Sequence, residues 1–239
     1  MRKALLLLVV LAGIVAGCED KYKDPDPQAM GYAYYPLEIG AYRIYNVTDI
    51  KFRNNVGDTS HFQMKERIDT SFYDQTEQLN YKIVRSVRKN ENSSWMDDSV
   101  MVVKLSENSL LLTKDNTTFV KLIFPVKSGM TWAGDAFNVH VINKDEKEPF
   151  TYQNVGEPFQ VNDQSFPNTI TVVQGTPIKN FINQDDRKEV YAEGIGRVYR
   201  LFNRVVYCNQ TTGSECDYGV DYILDGHERH EELISYGTR

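Results

Sequence analysis

The sequence predicts an all-β domain, and three observations support this prediction. The chain holds fifteen Tyr and eleven Phe but only two Trp, a composition that favours strands. Apolar and polar side chains alternate in several segments, as in residues 61–68. No stretch after residue 17 shows a sustained helical pattern of apolar residues. We therefore expect a mostly antiparallel sheet of about ten to twelve strands, folded as a sandwich or as a (half-)barrel.

The strands are predicted in order along the chain. Alternation predicts strands at 61–68 and 81–87, where Arg85 is the exception because it occupies an apolar position. Short apolar runs between polar turns, and later β-rich segments, predict the remaining strands at 100–105, 110–113, 119–124, 137–143, 168–174, 188–192, 196–207, 218–225 and 229–236. A short helix within 74–80 or 176–186 stays open, although no capping residue requires one.

Composition limits the classes of protein and of partner. The 239 residues are 41% hydrophobic and 25% charged, which suits one globular domain. Lys and Arg together number 27 against 33 Asp and Glu, for a net charge of −6. A nucleic-acid partner is therefore not expected, because such a protein needs a large basic surface.

The first residues have the pattern of an export signal. Arg2 and Lys3 precede an uncharged run over 4–17, too short for a membrane-spanning helix, which needs about 20 residues. Its length and flanks are typical of a secretory signal peptide. An ordinary signal peptide or a short signal anchor are the alternatives to the more specific interpretation that follows.

The signal ends in Val15-Ala16-Gly17-Cys18, which resembles the lipobox of bacterial lipoproteins. The resemblance implies cleavage before Cys18 and attachment of fatty acids such as palmitate to that residue. Two or more acyl chains would anchor the protein firmly. The predicted organisation is a signal peptide at 1–17, the lipidated cysteine and a flexible tether at 18–33, and one all-β domain at 34–239.

Two further cysteines, Cys208 and Cys216, flank a short polar, turn-rich segment between apolar strands. An even number of cysteines outside the cytoplasm favours a disulfide, here across the neck of a hairpin. The spacing does not fit a Cys-x-x-Cys redox pair. A metal pair is the other alternative, but it lacks histidines nearby in the sequence.

Proline, glycine and aromatic residues recur in a fixed order. The three segments are Pro36-Leu37-x-x-Gly40-x-Tyr42, Phe124-Pro125-x-x-x-Gly129-x-x-Trp132 and Tyr191-Ala192-Glu193-Gly194-Ile195-Gly196-x-Val198-Tyr199. This order resembles a family of uncharacterised Bacteroidota cell-envelope lipoproteins with a mostly antiparallel β domain. The resemblance implies the fold and a cell-envelope location, which we expect to be the outer membrane, and it brings no catalytic residues. Periplasmic and surface-exposed orientations both stay open.

Three kinds of motif could indicate a cofactor, metal or catalytic site, and for each one we favour a structural role. Gly194-Ile195-Gly196 lacks the third glycine of a dinucleotide site and predicts a tight bend. His227 and His230 are three residues apart, so a strand would point them to opposite faces, and we expect a solvated strand start rather than a metal site. The acidic pairs 97–98 and 185–186 are expected in solvated loops. We expect no catalytic residue, no metal and no cofactor.

Exposed aromatic rings remain as candidates for ligand binding. Trp95, Trp132 and the tyrosines at 32–45 could line a groove for a sugar or a lipid. The sequence therefore predicts a lipid-anchored, non-catalytic binding or scaffolding domain of the cell envelope. Its partners are the membrane, through the anchor, and a glycan, lipid or protein ligand. The alternatives are a carrier that holds an apolar ligand in a β-cup, and an envelope glycoside hydrolase.

Overall fold

The computed structural model describes residues 26–138, 147–209, 216 and 219–238. These residues form an almost purely β structure, so the predicted fold class is confirmed. Two short helices come first: α1 (Pro27–Met30) and a 3-10 helix (Tyr32–Tyr34). The strands are β1 (Ala41–Arg53), β2 (Val56–Tyr73), β3 (Leu79–Arg88), β4 (Met96–Leu105), β5 (Ser109–Lys114), β6 (Thr117–Ile123), β7 (Thr131–Ala133), β8 (Pro149–Val161), β9 (Gln164–Gln174), β10 (Ile178–Lys179), β11 (Asn183–Ala192), β12 (Gly196–Cys208) and β13 (Gly219–Thr238).

All the pairings between strands are antiparallel, and they join the strands into one sheet. Twelve strands follow one another in the order β6-β5-β4-β3-β2-β1-β13-β12-β11-β9-β8-β7, and the two-residue β10 pairs with β11 alone. Most neighbours are joined by hairpins, whereas the pairing of β1 with β13 brings the two ends of the chain together. This pairing places the long strands β2, β1, β13, β12 and β11 side by side in the middle of the sheet.

The sheet curls until its two edges meet, so the fold is a nearly closed barrel-like sheet, called the half-barrel below, and not a sandwich. At the seam, Val120 of β6 donates its N–H to the carbonyl of Gly134, at 2.8 Å. The Trp132 indole donates to the Val120 carbonyl at 2.8 Å, and the Tyr152 hydroxyl bonds both the N–H and the carbonyl of Ile123 at 2.9 Å. Side chains thus complete a closure that backbone pairing alone does not provide.

Several predicted elements differ in detail from those observed. The two strands predicted at 218–225 and 229–236 correspond to the single strand β13, which begins at Gly219, while residue 218 lies outside the described residues. Neither 74–80 nor 176–186 is helical, because the first forms a turn before β3 and the second holds β10 and the start of β11. Of the strand predicted at 137–143, residue 137 lies in a turn and residue 138 is irregular, and the other residues lie outside the described part of the chain.

The ordered domain begins before residue 34. Residues 27–33 lie in the tether predicted from the sequence, but they form α1 and most of the 3-10 helix. Met30 and Tyr32 pack against the core, and the Met30 carbonyl accepts a hydrogen bond from the Val126 N–H at 3.1 Å. Residues 18–25, including Cys18, lie outside the described residues. Within the described residues, no helix is long and apolar enough to cross a lipid bilayer.

The interior contains two apolar clusters. The larger one gathers residues near the seam and the N-terminal helices, among them Ile83, Leu122 and Phe150. The smaller one includes Tyr45 and Leu233. The buried Tyr45 hydroxyl donates to the Arg197 carbonyl at 2.9 Å, which satisfies a polar atom that burial would otherwise penalise. The surplus of tyrosine therefore reflects a core that also contains polar groups.

Candidate binding site

Register places three rows of side chains on the inner face of the sheet, across β2, β1, β13, β12 and β11. Residues directly opposite each other in an antiparallel pair share a face. The rows are Phe62–Val47–Glu231–Arg200–Glu189, then Ser60–Asp49–Arg229–Phe202–Arg187, then Asp58–Lys51–His227–Arg204–Asp185. Successive rows are two residues apart, so from the first row to the third the distance is on the order of 13 Å. The first row is the deepest, and the third lies at the open end of the half-barrel.

Glu231 is the centre of a buried ion-pair network. Its side chain is 0% exposed and receives three arginines, from Arg197 at 2.7 Å, Arg200 at 3.0 Å and Arg229 at 2.7 Å. Burial opposes ionisation, but these guanidinium charges outweigh it and hold the pKa of Glu231 well below its ordinary value.

Glu66 and Glu189 extend the network to both sides of Arg197. Glu66 binds Arg85 at 2.6 Å and Arg197 at 3.1 Å. Glu189 lies 2.5 Å from Lys121 and accepts the Tyr191 hydroxyl at 2.5 Å. Although burial raises the pKa of both carboxyls, the neighbouring cations lower it further, to about 2 for Glu189. All three interior carboxyls are therefore ionised at neutral pH.

Two cavities lie against this network. The inner one, of about 190 Å³, is lined by Glu66, Glu189 and Lys121 among others, and the next, of about 400 Å³, by Phe62 and Arg229 among others. Both are lined by the same three cationic residues, which are Arg85, Lys114 and Arg200. The cavities are therefore neighbours that share one cationic wall.

The cavity walls carry more positive than negative charge. Six cationic residues line the two cavities (Arg85, Lys114, Lys121, Arg197, Arg200 and Arg229) against three acidic ones (Glu66, Asp98 and Glu189). The whole chain has the opposite balance, with a net charge of −6. Glu231 does not line the cavities but pairs with three of these cations, so the excess of positive charge belongs to the cavity walls and not to the whole interior.

Two arginines of the shared wall have unused hydrogen-bond donors. The Nε atoms of Arg85 and Arg200 are buried and have no hydrogen-bond partner in the structure. The Nε of Arg200 lies 3.6 Å from a Glu189 oxygen, which is too long for a hydrogen bond. A buried donor without an acceptor costs about 1–3 kcal/mol. Both arginines also line the two cavities, so an anion there would lie beside two guanidinium groups that do not use all their donors.

A third, larger groove continues from these cavities to the open end of the half-barrel. Its volume is about 1060 Å³, and it shares Phe202 and His227 with the 400 Å³ cavity. All five residues of the third inner-face row line it, together with Phe202 of the second row. The concave face therefore carries one continuous path from the open end to the arginine network.

The two tryptophans proposed as ligand-facing rings lie elsewhere. Trp132 closes the seam, and its ring packs against Phe150 and Tyr152 at centroid distances of 6.0 and 4.6 Å. Trp95 lies against Lys65 and Arg88, 4.5 and 4.4 Å from its ring centroid. Lys65 alternates with the inner-face residues of β2, so Trp95 is on the outer face of the sheet. Neither ring lines the cavities or the groove described above, so a ligand-facing role for them stays a prediction.

The remaining sequence candidates have clear positions. The Sγ atoms of Cys208 and Cys216 form a disulfide, as expected, with the two Cα atoms 6.1 Å apart. His227 bonds Asp49 at 2.8 Å and His230 bonds Glu228 at 2.7 Å, on opposite faces of β13. The expectation that residues 227–231 are a solvated strand start is wrong, because Glu231 is fully buried. Among the described residues no group of His, Cys, Asp and Glu could hold a metal ion.

The acidic pairs and the glycine motif also fall within the described residues. Both pairs lie on strands, not in loops: Asp97 accepts the Ser86 hydroxyl at 2.8 Å, and Asp185 binds Arg187 at 2.6 Å. Gly194 and Gly196 have φ of 74° and 99°, which confirms the predicted tight bend between β11 and β12. Among the network residues, only Arg85 could be singled out from the sequence, because it occupies an apolar position of β3.

The fold and the site define a class: an antiparallel half-barrel with a charged interior that opens at one end. No protein-family model matches the chain, and no curated protein matches it. One similar solved structure is a Bacteroides fragilis NCTC 9343 protein assigned as exported and with a YmcC-like fold, at 11% identity, TM-score 0.39, and coverage of 85% of this chain and 98% of that one. Another is a protein of Parabacteroides distasonis ATCC 8503 assigned as a lipoprotein, at 9% identity, TM-score 0.34, and coverage of 84% and 98%. Neither similarity assigns a function to this chain.

Proposed function

We propose that this protein is a lipid-anchored cell-envelope protein whose half-barrel binds a small anionic ligand without catalysing its reaction. The ligand class is defined by a carboxylate, phosphate or sulfate group. The observation that carries the proposal is the shared wall of the two inner cavities, where Arg85 and Arg200 each keep a buried donor without an acceptor. The anion would lie between these two guanidinium groups.

Charge supports binding of an anion over binding of an apolar molecule. A β-cup for an apolar ligand should be lined by uncharged side chains, because burying charged groups against hydrocarbon is costly. Here six cationic residues line the inner cavities. In such a partly desolvated cavity, charge-assisted hydrogen bonds to an anion are stronger than in water.

The state of the carboxyls supports binding over glycoside hydrolysis. A hydrolase of that type needs one carboxylic acid whose pKa is raised, so that it is protonated when it meets the glycosidic oxygen. The pKa values of Glu66, Glu189 and Glu231 are shifted in the opposite direction by the surrounding cations. They serve better as fixed negative charges that hold the arginines in place.

The envelope location in this proposal rests on the first residues of the chain. The lipobox-like Val15-Ala16-Gly17-Cys18 follows a signal-peptide pattern, and the disulfide between Cys208 and Cys216 suits an oxidising compartment. Outer-membrane anchoring is part of the same proposal. The anchor would hold the half-barrel near the membrane through its N-terminal residues.

Titration of the purified protein with inorganic phosphate tests anion binding. We expect saturable binding by calorimetry and a rise in Tm, which corresponds to about 1.4 kcal/mol when phosphate is at ten times its Kd. Binding should weaken at least tenfold in Arg200→Gln and be retained largely in Arg200→Lys, which keeps the charge. Lys82→Gln removes one outer-face charge and should leave binding unchanged. No phosphate binding, or equal losses in Arg200→Gln and Lys82→Gln, would overturn the proposal.

A further inference from the structure

The large groove at the open end differs in charge from the inner cavities. Three acidic residues line it (Asp58, Asp185 and Asp225), and three basic ones (Lys51, Arg53 and Arg204), so its charges balance. In the third row of the inner face an aspartate stands at each end beside a basic residue: Asp58 beside Lys51, and Asp185 3.1 Å from Arg204. The groove therefore offers hydrogen-bond donors and acceptors in equal measure, whereas the inner cavities offer mainly donors.

One aromatic ring lies at the junction between groove and cavities. Phe202 of β12 lines both, and it stands in the middle row of the inner face. Its ring centroid is 5.2 Å from that of His227, and the Arg200 guanidinium carbon lies 5.9 Å from the Phe202 centroid. A ligand that passes from the open end to Arg200 must therefore cross this ring.

These features point to an acidic saccharide as the occupant, an inference that rests on the anion binding proposed above. The geometry places the acidic group of the saccharide at Arg85 and Arg200, one sugar ring over Phe202, and further hydroxylated rings in the groove. Sugar hydroxyls both donate and accept, so they can satisfy aspartates and arginines together. The C–H face of a sugar ring is apolar and suits contact with an aromatic face.

A fatty acid fits the same path poorly. Its carboxylate could bind the arginines, but its acyl chain would then cover the charged third row. Lys51 and Asp58, which are solvated at present, would lose water without gaining hydrogen bonds, and each such loss is costly. The distance of about 13 Å between the first and third rows leaves room for more than a single small anion.

Calorimetry on the purified protein, with four probes, tests this inference: digalacturonate, lactose, dodecanoate and inorganic phosphate. We expect digalacturonate to bind at least tenfold more tightly than phosphate, lactose or dodecanoate. Phe202→Ala should weaken digalacturonate binding about tenfold and phosphate binding by a clearly smaller factor. Trp95→Ala is the matched control, because it removes an aromatic ring from the outer face, and should change neither. If Phe202→Ala folds poorly, Phe202→Leu replaces it in the test, because leucine fills most of the space but lacks the flat ring. The same loss of digalacturonate binding is expected.

The outcomes separate this inference from the proposed function. Phosphate binding with no gain for digalacturonate overturns the saccharide and leaves the anion site standing. Tighter binding of dodecanoate than of digalacturonate also overturns the saccharide, in favour of an amphiphile. Equal loss of phosphate and digalacturonate in the Phe202 variants overturns the placement of a sugar ring there. Absence of binding by all the anionic probes overturns both proposals.

Discussion

The Nζ of Lys121 lies 2.5 Å from a carboxylate oxygen of Glu189, an ion pair that crosses the interior of the half-barrel from β6 to β11. β6 is one edge of the sheet, and β11 is eight positions along the strand order. The pair therefore complements the seam, since it ties the edge strand to the middle of the sheet. Both side chains are nearly buried, so water screens their attraction little.

We expect Lys121→Met to destabilise the fold by about 2–4 kcal/mol, because the buried Glu189 then keeps the Tyr191 hydrogen bond but has cations only at 3.6 Å, in Arg197 and Arg200. Addition of Glu189→Gln should recover part of this loss, since it removes the unpaired charge. Urea unfolding of the wild type, both single variants and the double variant measures the coupling. Lys82→Met breaks an exposed pair with Asp69 and should cost at most about 1 kcal/mol. Strict additivity of the two interior substitutions would contradict the role given to the pair.

Acid should weaken the fold through the buried carboxyls. The pKa of Glu189 falls from its ordinary 4.5 to about 2 in the folded protein, because the charges of Lys121, Arg197 and Arg200 outweigh burial. A depressed carboxyl pKa stabilises the fold above the unfolded pKa, and that contribution is lost as pH falls through the folded pKa. The window is therefore about pH 5 to pH 2, with up to about 3 kcal/mol from Glu189.

Urea unfolding at several pH values between 6 and 2 measures this loss. Glu189→Gln removes the titrating group, so its free energy of unfolding should vary less with pH across the window than that of the wild type. Glu66 and Glu231 also have lowered pKa values, and they should keep part of the pH dependence in the variant. Identical pH profiles for the wild type and Glu189→Gln would show that Glu189 does not contribute.

The alternation of apolar and polar residues was enough to predict the fold class, the disulfide flanks and most strands, because these depend on near neighbours in the chain. The closure of the sheet was not predictable in this way. It depends on Trp132 and Tyr152 meeting β6 across the seam, and no local pattern encodes that contact. Trp132 was therefore predicted as a ligand-facing ring, although its indole N–H serves the closure.

The interior ion-pair network could not be predicted either, because it also depends on contacts between segments that are distant in the chain. Glu231 and Arg197 resemble ordinary solvated charges in the sequence, and only the pairing of β12 with β13 shows that they meet in the interior. Arg85 alone gave a signal, since it breaks the alternation of β3 at an inward position. A charge at an apolar strand position is a sign of a buried partner, which here is Glu66.

Lipid attachment at Cys18 remains a prediction from the sequence. In a bacterial host, metabolic labelling with a fatty-acid probe should mark the wild-type protein and fail to mark Cys18→Ala. Cys208→Ser/Cys216→Ser is the matched control, since it removes cysteines without affecting the anchor. Equal labelling of wild type and Cys18→Ala would exclude the lipoprotein assignment.

The disulfide between Cys208 and Cys216 should stabilise the domain without taking part in binding. It closes a loop with a sequence separation of eight residues, which is worth about 2.5 kcal/mol if the bond acts mainly on the unfolded chain. The double serine variant should therefore lose several degrees in Tm and keep its affinity for phosphate. Intact mass with and without reductant, after alkylation, reports the bond. Two free thiols in protein recovered from the envelope would contradict it, and loss of phosphate binding in a folded double variant would contradict a purely structural role.

The tight bend between β11 and β12 offers a test of how the backbone supports the network. Gly196 has φ of 99°, and a Cβ at this position would lie 2.6 Å from the Arg43 Nε, which donates to the carbonyl of the neighbouring Ile195. Gly194 has φ of 74°, but a Cβ there would meet nothing within 4 Å. Gly194→Ala should thus cost about 1 kcal/mol from backbone strain alone.

Gly196→Ala should cost at least twice as much as Gly194→Ala, because it adds a clash with a buried arginine to a similar strain. Arg43 must then move away from the Ile195 carbonyl, and the next residue, Arg197, contacts all three buried glutamates. Urea unfolding compares the two variants, and phosphate titration shows whether the displacement reaches the anion site. If Gly194→Ala and Gly196→Ala lower the free energy of unfolding equally, then Arg43 can move aside without loss. The close packing of the bend against Arg43 would then not contribute to stability.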